Sequence, residues 1–220
     1  MYDGVKVNDL YLHEGIYRGK EALQKLGQTQ VTVCGAGALG SLLVDNLARQ
    51  GLLQLSAIDD DRVELHNVGT QLFRQEDVGA FKVDVLRGHC FRAAGIEIGT
   101  FNKRLTESTV HKFLRGADLV VDTFDNSASR RIVSEHCHQN NQACLHLGMN
   151  TDYGEVHWNE AYRVPQDVVA RDVCEYPLAR NLILLTVAAG SEAILRYVLE
   201  ARKENYSITL RDLCIQMEEG

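Results

Sequence analysis

Basic surplus, paired cysteines, proline and unbroken apolar runs are what this chain has least of. Its 220 residues carry 23 Lys and Arg against 30 Asp and Glu, a formal charge of -7. A surface that binds nucleic acid or an anionic membrane needs the opposite balance, so neither partner is expected. Cysteine is present at six positions, Cys34, Cys90, Cys137, Cys144, Cys174 and Cys214, yet no two stand in a C-x-x-C pair. That scatter signals neither a disulfide framework nor a thiolate zinc site; no structural zinc is expected, and most thiols should be reduced and several simply buried. No apolar run approaches the roughly 20 residues that cross a bilayer, and the opening MYDGVKVNDLYLHEG lacks the basic and apolar regions of a signal peptide. Cytoplasmic residence without membrane association is the expectation.

What is there suffices for one sizeable core. Hydrophobic residues make up 45% of the chain, and the length is too short for two comfortable domains, so residues 1–220 read as a single α/β domain. A helical lead-in within 1–28, clearest at 19–26, precedes an apolar strand at 31–34. A glycine loop and a helix over 39–50 follow, the helix closed by Gly51, which can take the left-handed conformation of a C-cap. Residues 53–58 read as the next strand. Beyond them, 77–94 and 127–139 read as helices, and 96–101, 118–122, 143–147 and 155–158 as strands. This alternation predicts a doubly wound, mostly parallel Rossmann-like sheet. The two prolines, Pro165 and Pro177, both fall in segment 162–177, which reads as a long functional loop or lid. A long apolar helix over 179–204 has small residues at its middle, fit for close packing on the sheet or on a second subunit, and its apolarity predicts a homodimer. A terminal strand is expected over 207–215.

The glycine loop is Gly35-Ala36-Gly37-Ala38-Leu39-Gly40, a G-x-G-x-x-G pattern between strand and helix. Glycine removes the Cβ that would keep a phosphate from the backbone N–H groups and from the helix N-terminus. Asp59 ends the second strand at the distance where such folds place a carboxylate on ribose hydroxyls. Taken this far, NAD, FAD and ATP are equal candidates. From the residues alone, Lys82 also reads as a solvated residue early in a helix, and Asp125 as a helix N-cap.

The segment after Asp59 is more specific. Asp59, Asp61, Val63, Asn67, Gln71, Asp77, Val78, Gly79 and Lys82 fall at the spacing of an aspartate-rich strand end, then Asn-Leu-x-Arg-Gln, then Asp-Val/Ile-Gly-x-x-Lys. A second signature, an apolar strand ending in Asp-x-x-Asp-Asn, stands as Asp122-Thr-Phe-Asp125-Asn126. Together these resemble the E1-like adenylyltransferase superfamily, which includes the molybdopterin-synthase and thiamine sulfur-carrier adenylyltransferases and the ubiquitin-activating enzymes. The resemblance runs from about residue 19 to about 204.

The resemblance implies the E1-like fold and ATP-dependent adenylylation of the C-terminal carboxylate of a small ubiquitin-like or sulfur-carrier protein ending in Gly-Gly. It implies ATP held by Gly35, Gly37, Ala38, Leu39, Gly40 and Asp61, with Asp59 on the ribose and Asn67 and Gln71 helping to position the triphosphate. Lys82 would neutralise phosphate charge and Asp125 would hold Mg²⁺. Cys174 lies near where relatives carry a cysteine for thioester or persulfide chemistry, although its neighbours Asp172 and Glu175 would raise a thiol pKa. Departures stand beside these matches. The arginine between Asn and Gln is Thr70 here, and the N-terminal arginine motif is missing, leaving Arg18 and Arg74 as stand-ins. Two alternatives therefore stay open: a non-catalytic E1-like subunit completed by another chain, and an NAD(P)-dependent oxidoreductase resting on the glycine loop and Asp59 alone.

Overall fold

The computed structural model describes residues 7–166 and 177–218. Three short helices, α1 (Val7–Leu10), α2 (Leu12–Arg18) and α3 (Lys20–Gln28), lead into β1 (Gln30–Cys34), α4 (Ala38–Arg49) and β2 (Gln54–Ile58). Next come α5 (Lys82–Ala94), β3 (Gly99–Phe101), α6 (Val110–Leu114), β4 (Leu119–Asp122), α7 (Ser127–Gln139), β5 (Cys144–Asn150) and β6 (Tyr153–Trp158). The helix α8 (Arg180–Glu200) precedes a closing hairpin of β7 (Asn205–Thr209) and β8 (Cys214–Glu218).

All eight strands form one sheet in the order β3-β2-β1-β4-β5-β6-β7-β8. From β3 to β5 the pairing is parallel, and from β5 to β8 antiparallel. Parallel strands covered on both faces read as continuous apolar runs, and the side-chain period of two divides each run between two cores. Val31 and Val33, Leu55 and Ala57, Leu119 and Val121, and Leu145 and Leu147 enter the larger core. Cys34, Ile58, Val120 and Cys144 face the smaller one. Helices α4 and α8 cover the larger core, while α6 and α7 lie against the other face.

Several expected boundaries change. The helix expected over 77–94 begins at Lys82; residues 75–77 form a single 3-10 turn, and Gly79 at φ 90° then turns the chain. The helix expected over 179–204 ends at Glu200, with Ala201 in the left-handed region at φ 58°. The strand expected over 207–215 is instead a hairpin whose turn includes Leu213 at φ 49°. Apolar content along 207–215 conceals that turn, because no Gly, Pro or Asn marks it. As expected, Gly51 takes φ 99° just past the end of α4.

One helix corrects one expectation and removes a ground for another. Over its most apolar stretch α8 has a mean hydropathy of 1.7, and by length and composition it is long enough to cross a bilayer. The chain therefore does hold a run of that length. Within the fold 61% of that stretch is buried, against α4, α3 and strands β5, β6 and β7. Gly190 makes the close approach possible, since a Cβ there would lie 2.6 Å from Leu147 Cδ2. The apolarity of α8 is thus met inside the protomer and carries no argument for a dimer.

Candidate functional site

Strand order reverses between β1, whose chain continues to β2 on one side, and its other neighbour β4. In open α/β sheets the crevice outside the strand ends at such a reversal is where ligands bind. The glycine loop follows β1, Asp59–Asp61 follow β2, and the Asp122–Asn126 turn follows β4, so the fold gathers all three at one edge. Register explains the close fit, because Cys34 pairs with Asp122 and Gly35 is therefore next to Thr123.

Two of the loop glycines answer to packing. Gly35 sits at φ 99°, and a Cβ on it would come 2.9 Å from Thr123 Oγ1. A Cβ on Gly40 would run into the Gly35 carbonyl and approach Thr123 Oγ1 to 2.6 Å. Thr123 Oγ1 in turn donates to Cys34 O at 3.0 Å, tying the end of β4 to the loop. Gly37 differs, with nothing within 4 Å of where its Cβ would be. It is the N-cap of α4 and offers no side-chain cap, so the first-turn N–H groups at Ala38, Leu39 and Gly40 remain for an anion.

Asp59, nearly buried, accepts hydrogen bonds from Ala36 N at 2.7 Å and Asp61 N at 2.8 Å. Burial raises its pKa, against the pull of the Lys82 ammonium and of these two N–H groups. From Asp61 the chain runs out and back: Val63 N bonds to Ala80 O, Gly79 N to Val63 O, and Lys82 N to Asp61 O. This return sets Lys82 Nζ 2.7 Å from Asp61 Oδ2. Asp61, expected among the nucleotide-binding residues, is thus the ion-pair partner of Lys82. Within the excursion Asn67 is buried, and its Oδ1 accepts from Glu64 N at 2.8 Å. Gln71 is also buried and its Oε1 has no partner among the described residues, an orphaned acceptor of the kind a ligand or water satisfies. Leu72 N bonds to Ser41 Oγ at 3.2 Å, fastening this turn to the first turns of α4.

Asp125 is exposed at the head of α7. The N-cap is its neighbour Asn126, whose side chain accepts from Ser129 N. The capping role open for Asp125 therefore belongs to Asn126, and the Asp125 carboxylate, which accepts only a long 3.4 Å bond from Asn126 Nδ2 among the described residues, is left for another use. Beneath it lies a polar cluster that sequence reasoning missed. Asp122 accepts from Phe124 N at 3.1 Å and faces His146 Nδ1 at 2.8 Å, its register partner on β5. Arg130 approaches Asp122 at 3.6 Å, donates to Tyr162 Oη at 2.9 Å and to Leu147 O at 2.8 Å. The His146 ring stacks on Tyr162 with centroids 3.8 Å apart, and its Nε2 is 2.8 Å from Asn159 Oδ1. Burial would raise the Asp122 pKa, but the Arg130 guanidinium and the His146 hydrogen bond outweigh it and hold it below the ordinary value. Burial pushes Tyr162 up to about 12. The signal available in the sequence was His146 itself, a polar residue inside the apolar run 143–147, which a buried strand tolerates only with partners.

The remaining candidates are placed as follows. Arg18 is engaged by Glu14 at 2.8 Å and Glu192 at 2.7 Å, on the α8 side of the lead-in. Arg74 pairs with Glu76 at 3.4 Å. Cys174 and most of segment 162–177 lie outside the described residues. Of the described cysteines, Cys34, Cys90, Cys137 and Cys144 are buried and Cys214 is exposed. Burial drives the thiol pKa of Cys34 and Cys144 well up, the opposite of what a thiolate nucleophile needs.

Fold and site together define a doubly wound α/β protein with a glycine-loop crevice at its strand-order reversal. The chain belongs to the ThiF family, which matches residues 13–174, and with it to the E1-like superfamily. It is similar to the SUMO-activating enzyme subunit uba-2 of Caenorhabditis elegans, 30% identical over 143 residues, which cover 62% of this chain and 24% of that one. It is 35% identical over 121 residues to the adenylyltransferase and sulfurtransferase MOCS3-1 of Zea mays, covering 54% and 26%. The chain thus spans about a quarter of the length of these two relatives. Among solved structures, PaaA superposes with a TM-score of 0.80 at 16% identity over 100% of this chain and 86% of that one. MccB of E. coli with ATP gives 0.79 at 18% identity over 99% and 72%. At these identities the structural likeness is one of fold.

Proposed function

We propose that the chain adenylylates the C-terminal carboxylate of a small ubiquitin-like or sulfur-carrier protein, using ATP. The observation that carries this reading is the convergence, at one strand-order reversal, of an uncapped helix N-terminus with open space at Gly37, a buried Asp59 and an exposed Asp125. ATP bound by MccB and the names of the curated relatives support it. In the reaction a carboxylate oxygen of the partner attacks the α-phosphorus, the bond to the β-phosphate bridging oxygen breaks, and pyrophosphate leaves with the electron pair. No protein acid, base or nucleophile is needed, so positioning and charge dominate. Asp59 would accept from ribose hydroxyls, the first turn of α4 would donate to phosphate, and Lys82 would exchange its Asp61 partner for phosphate oxygens. Asp125 would hold Mg²⁺, a hard cation that takes one or two carboxylates plus phosphate and water and neutralises phosphate charge.

ATP–pyrophosphate exchange with a Gly-Gly carrier tests this. Lys82→Ala and Asp125→Ala are each expected to cut exchange by at least about a hundredfold with the fold retained. Near wild-type exchange in both variants would refute the residue roles. The second reading, a subunit completed by another chain, draws on Thr70 and on Arg18 being engaged by Glu14 and Glu192. Under it the purified chain binds ATP yet exchanges pyrophosphate only when the other chain is added.

A further inference from the structure

We propose that Arg180, the first residue of α8, is a phosphate-binding residue of this site and contacts the part of the triphosphate that leaves as pyrophosphate. The inference rests on the nucleotide reading above and adds to it a cation from the other end of the chain. Arg180 Nη1 donates to Gly69 O at 3.2 Å. Gly69 lies between Asn67 and Gln71, in the turn that Leu72 N fastens to Ser41 of α4. One guanidinium is thus held on the excursion that Ser41 fastens to the first turns of α4, although 111 residues separate it from Gly69 in sequence.

Charge at the site makes this placement meaningful. Asp59, Asp60, Asp61 and Asp125 cluster at the strand ends, and the Lys82 ammonium is already paired with Asp61. A triphosphate brought there needs more positive charge than Lys82 supplies. Among the described residues no carboxylate pairs with Arg180, which is exposed. A guanidinium carries five N–H donors in a planar fork suited to phosphate, and the bond to Gly69 uses one of them. Its position is also unfavourable for a cation in isolation, because the N-terminus of a long helix carries positive dipole charge. The first turn of α8 has no acidic residue and no side-chain cap, so nothing described there offsets that cost, whereas a bound anion would. In the same turn as Gly69, the buried Gln71 Oε1 has no donor among the described residues, an open acceptor for a donor on a bound group or its water.

A purely structural tether between α8 and the 65–69 turn is the competing explanation, and titration calorimetry on the full chain separates the two. ATP with magnesium, inorganic pyrophosphate and AMP are titrated into wild type, Arg180→Lys and Arg180→Ala, with thermal melts alongside. The expected result is an affinity for ATP and pyrophosphate lower by about tenfold or more in Arg180→Ala, AMP affinity within about twofold, an intermediate Arg180→Lys, and unchanged melting. Equal affinity of Arg180→Ala and wild type for ATP and pyrophosphate would overturn the inference. So would a parallel loss for AMP and ATP accompanied by a lower melting temperature, the signature of a tether. A wild-type chain that binds neither ATP nor AMP would instead remove the nucleotide reading itself, and this inference with it.

Discussion

At Gly37 and Gly40, members of one glycine loop, an added methyl group has opposite effects. Gly40→Ala forces a Cβ against the Gly35 carbonyl and Thr123, and overpacking of that kind costs about 1–3 kcal/mol. Gly37→Ala meets open space, and its cost, about 1 kcal/mol or less, comes from putting a poor N-cap residue at φ -80°, ψ -146°. Its methyl group would nevertheless occupy the space a phosphate needs. Urea denaturation paired with ATP titration should therefore find Gly40→Ala unstable, and Gly37→Ala stable but weakened for ATP by about tenfold or more. Two alanine variants with the same pattern would mean that Gly37 does not border the nucleotide. Asp59→Ala adds a third case, because it strips Ala36 and Asp61 of their acceptor. A buried N–H left unpaired costs about 1–3 kcal/mol, so this variant should lose stability and nucleotide affinity together.

Between elements, the Asp122–Arg130–His146 cluster joins β4, α7 and β5 directly under the Asp125 turn. Asp122→Asn leaves the Arg130 guanidinium buried without its counter-charge, a change that typically costs about 3–5 kcal/mol. The pH dependence follows from the depressed native pKa of Asp122. The stabilisation from its charge is complete above the unfolded-state value of about 3.9 and disappears as pH falls toward and through the lower native value. Denaturation at pH 7 should separate wild type from Asp122→Asn by that full amount, and the gap should narrow on acidification below pH 4. A gap independent of pH would mean that the charge is not what stabilises the cluster. This is also where sequence and structure part company. The glycine loop and the strand-end aspartates were legible because each is tied to a local backbone geometry, whereas the Asn67, Gln71 and Lys82 spacing was legible only through the family resemblance. Arg130, Tyr162, Asn159 and Arg180 were not, because their partners lie on other elements and only the sheet order brings them together. The helix start at Lys82 and the 210–213 turn were missed for the opposite reason: a local turn overrode an apolar pattern that continued through it.

For the molecule as a whole, the question is what it assembles with. Since most of the apolar stretch of α8 is buried in its own protomer, self-association is expected to draw on other surface. Leu12, Ile16 and Tyr17 of α2 are 51%, 73% and 79% exposed, and α2 contributes no residue to the core. We propose that the chain forms a homodimer through that helix. Light scattering is expected to find a dimer for wild type and a monomer for the Ile16→Glu, Tyr17→Glu double variant at micromolar concentration; a monomeric wild type would end the proposal. The glycine loop has a further consequence, visible on the timescale of amide deuterium exchange. Gly35 N is bonded to Ile58 O, Thr123 N to Cys34 O and Ala36 N to Asp59, so these amides are released only when the sheet edge opens and should exchange among the slowest in the chain. The amides of Ala38 and Leu39, one turn away, have no side-chain cap and should exchange within the first time points of the free protein. A single loop would then hold neighbouring slow and fast sites, and ATP should slow the fast set while leaving the slow set where it was.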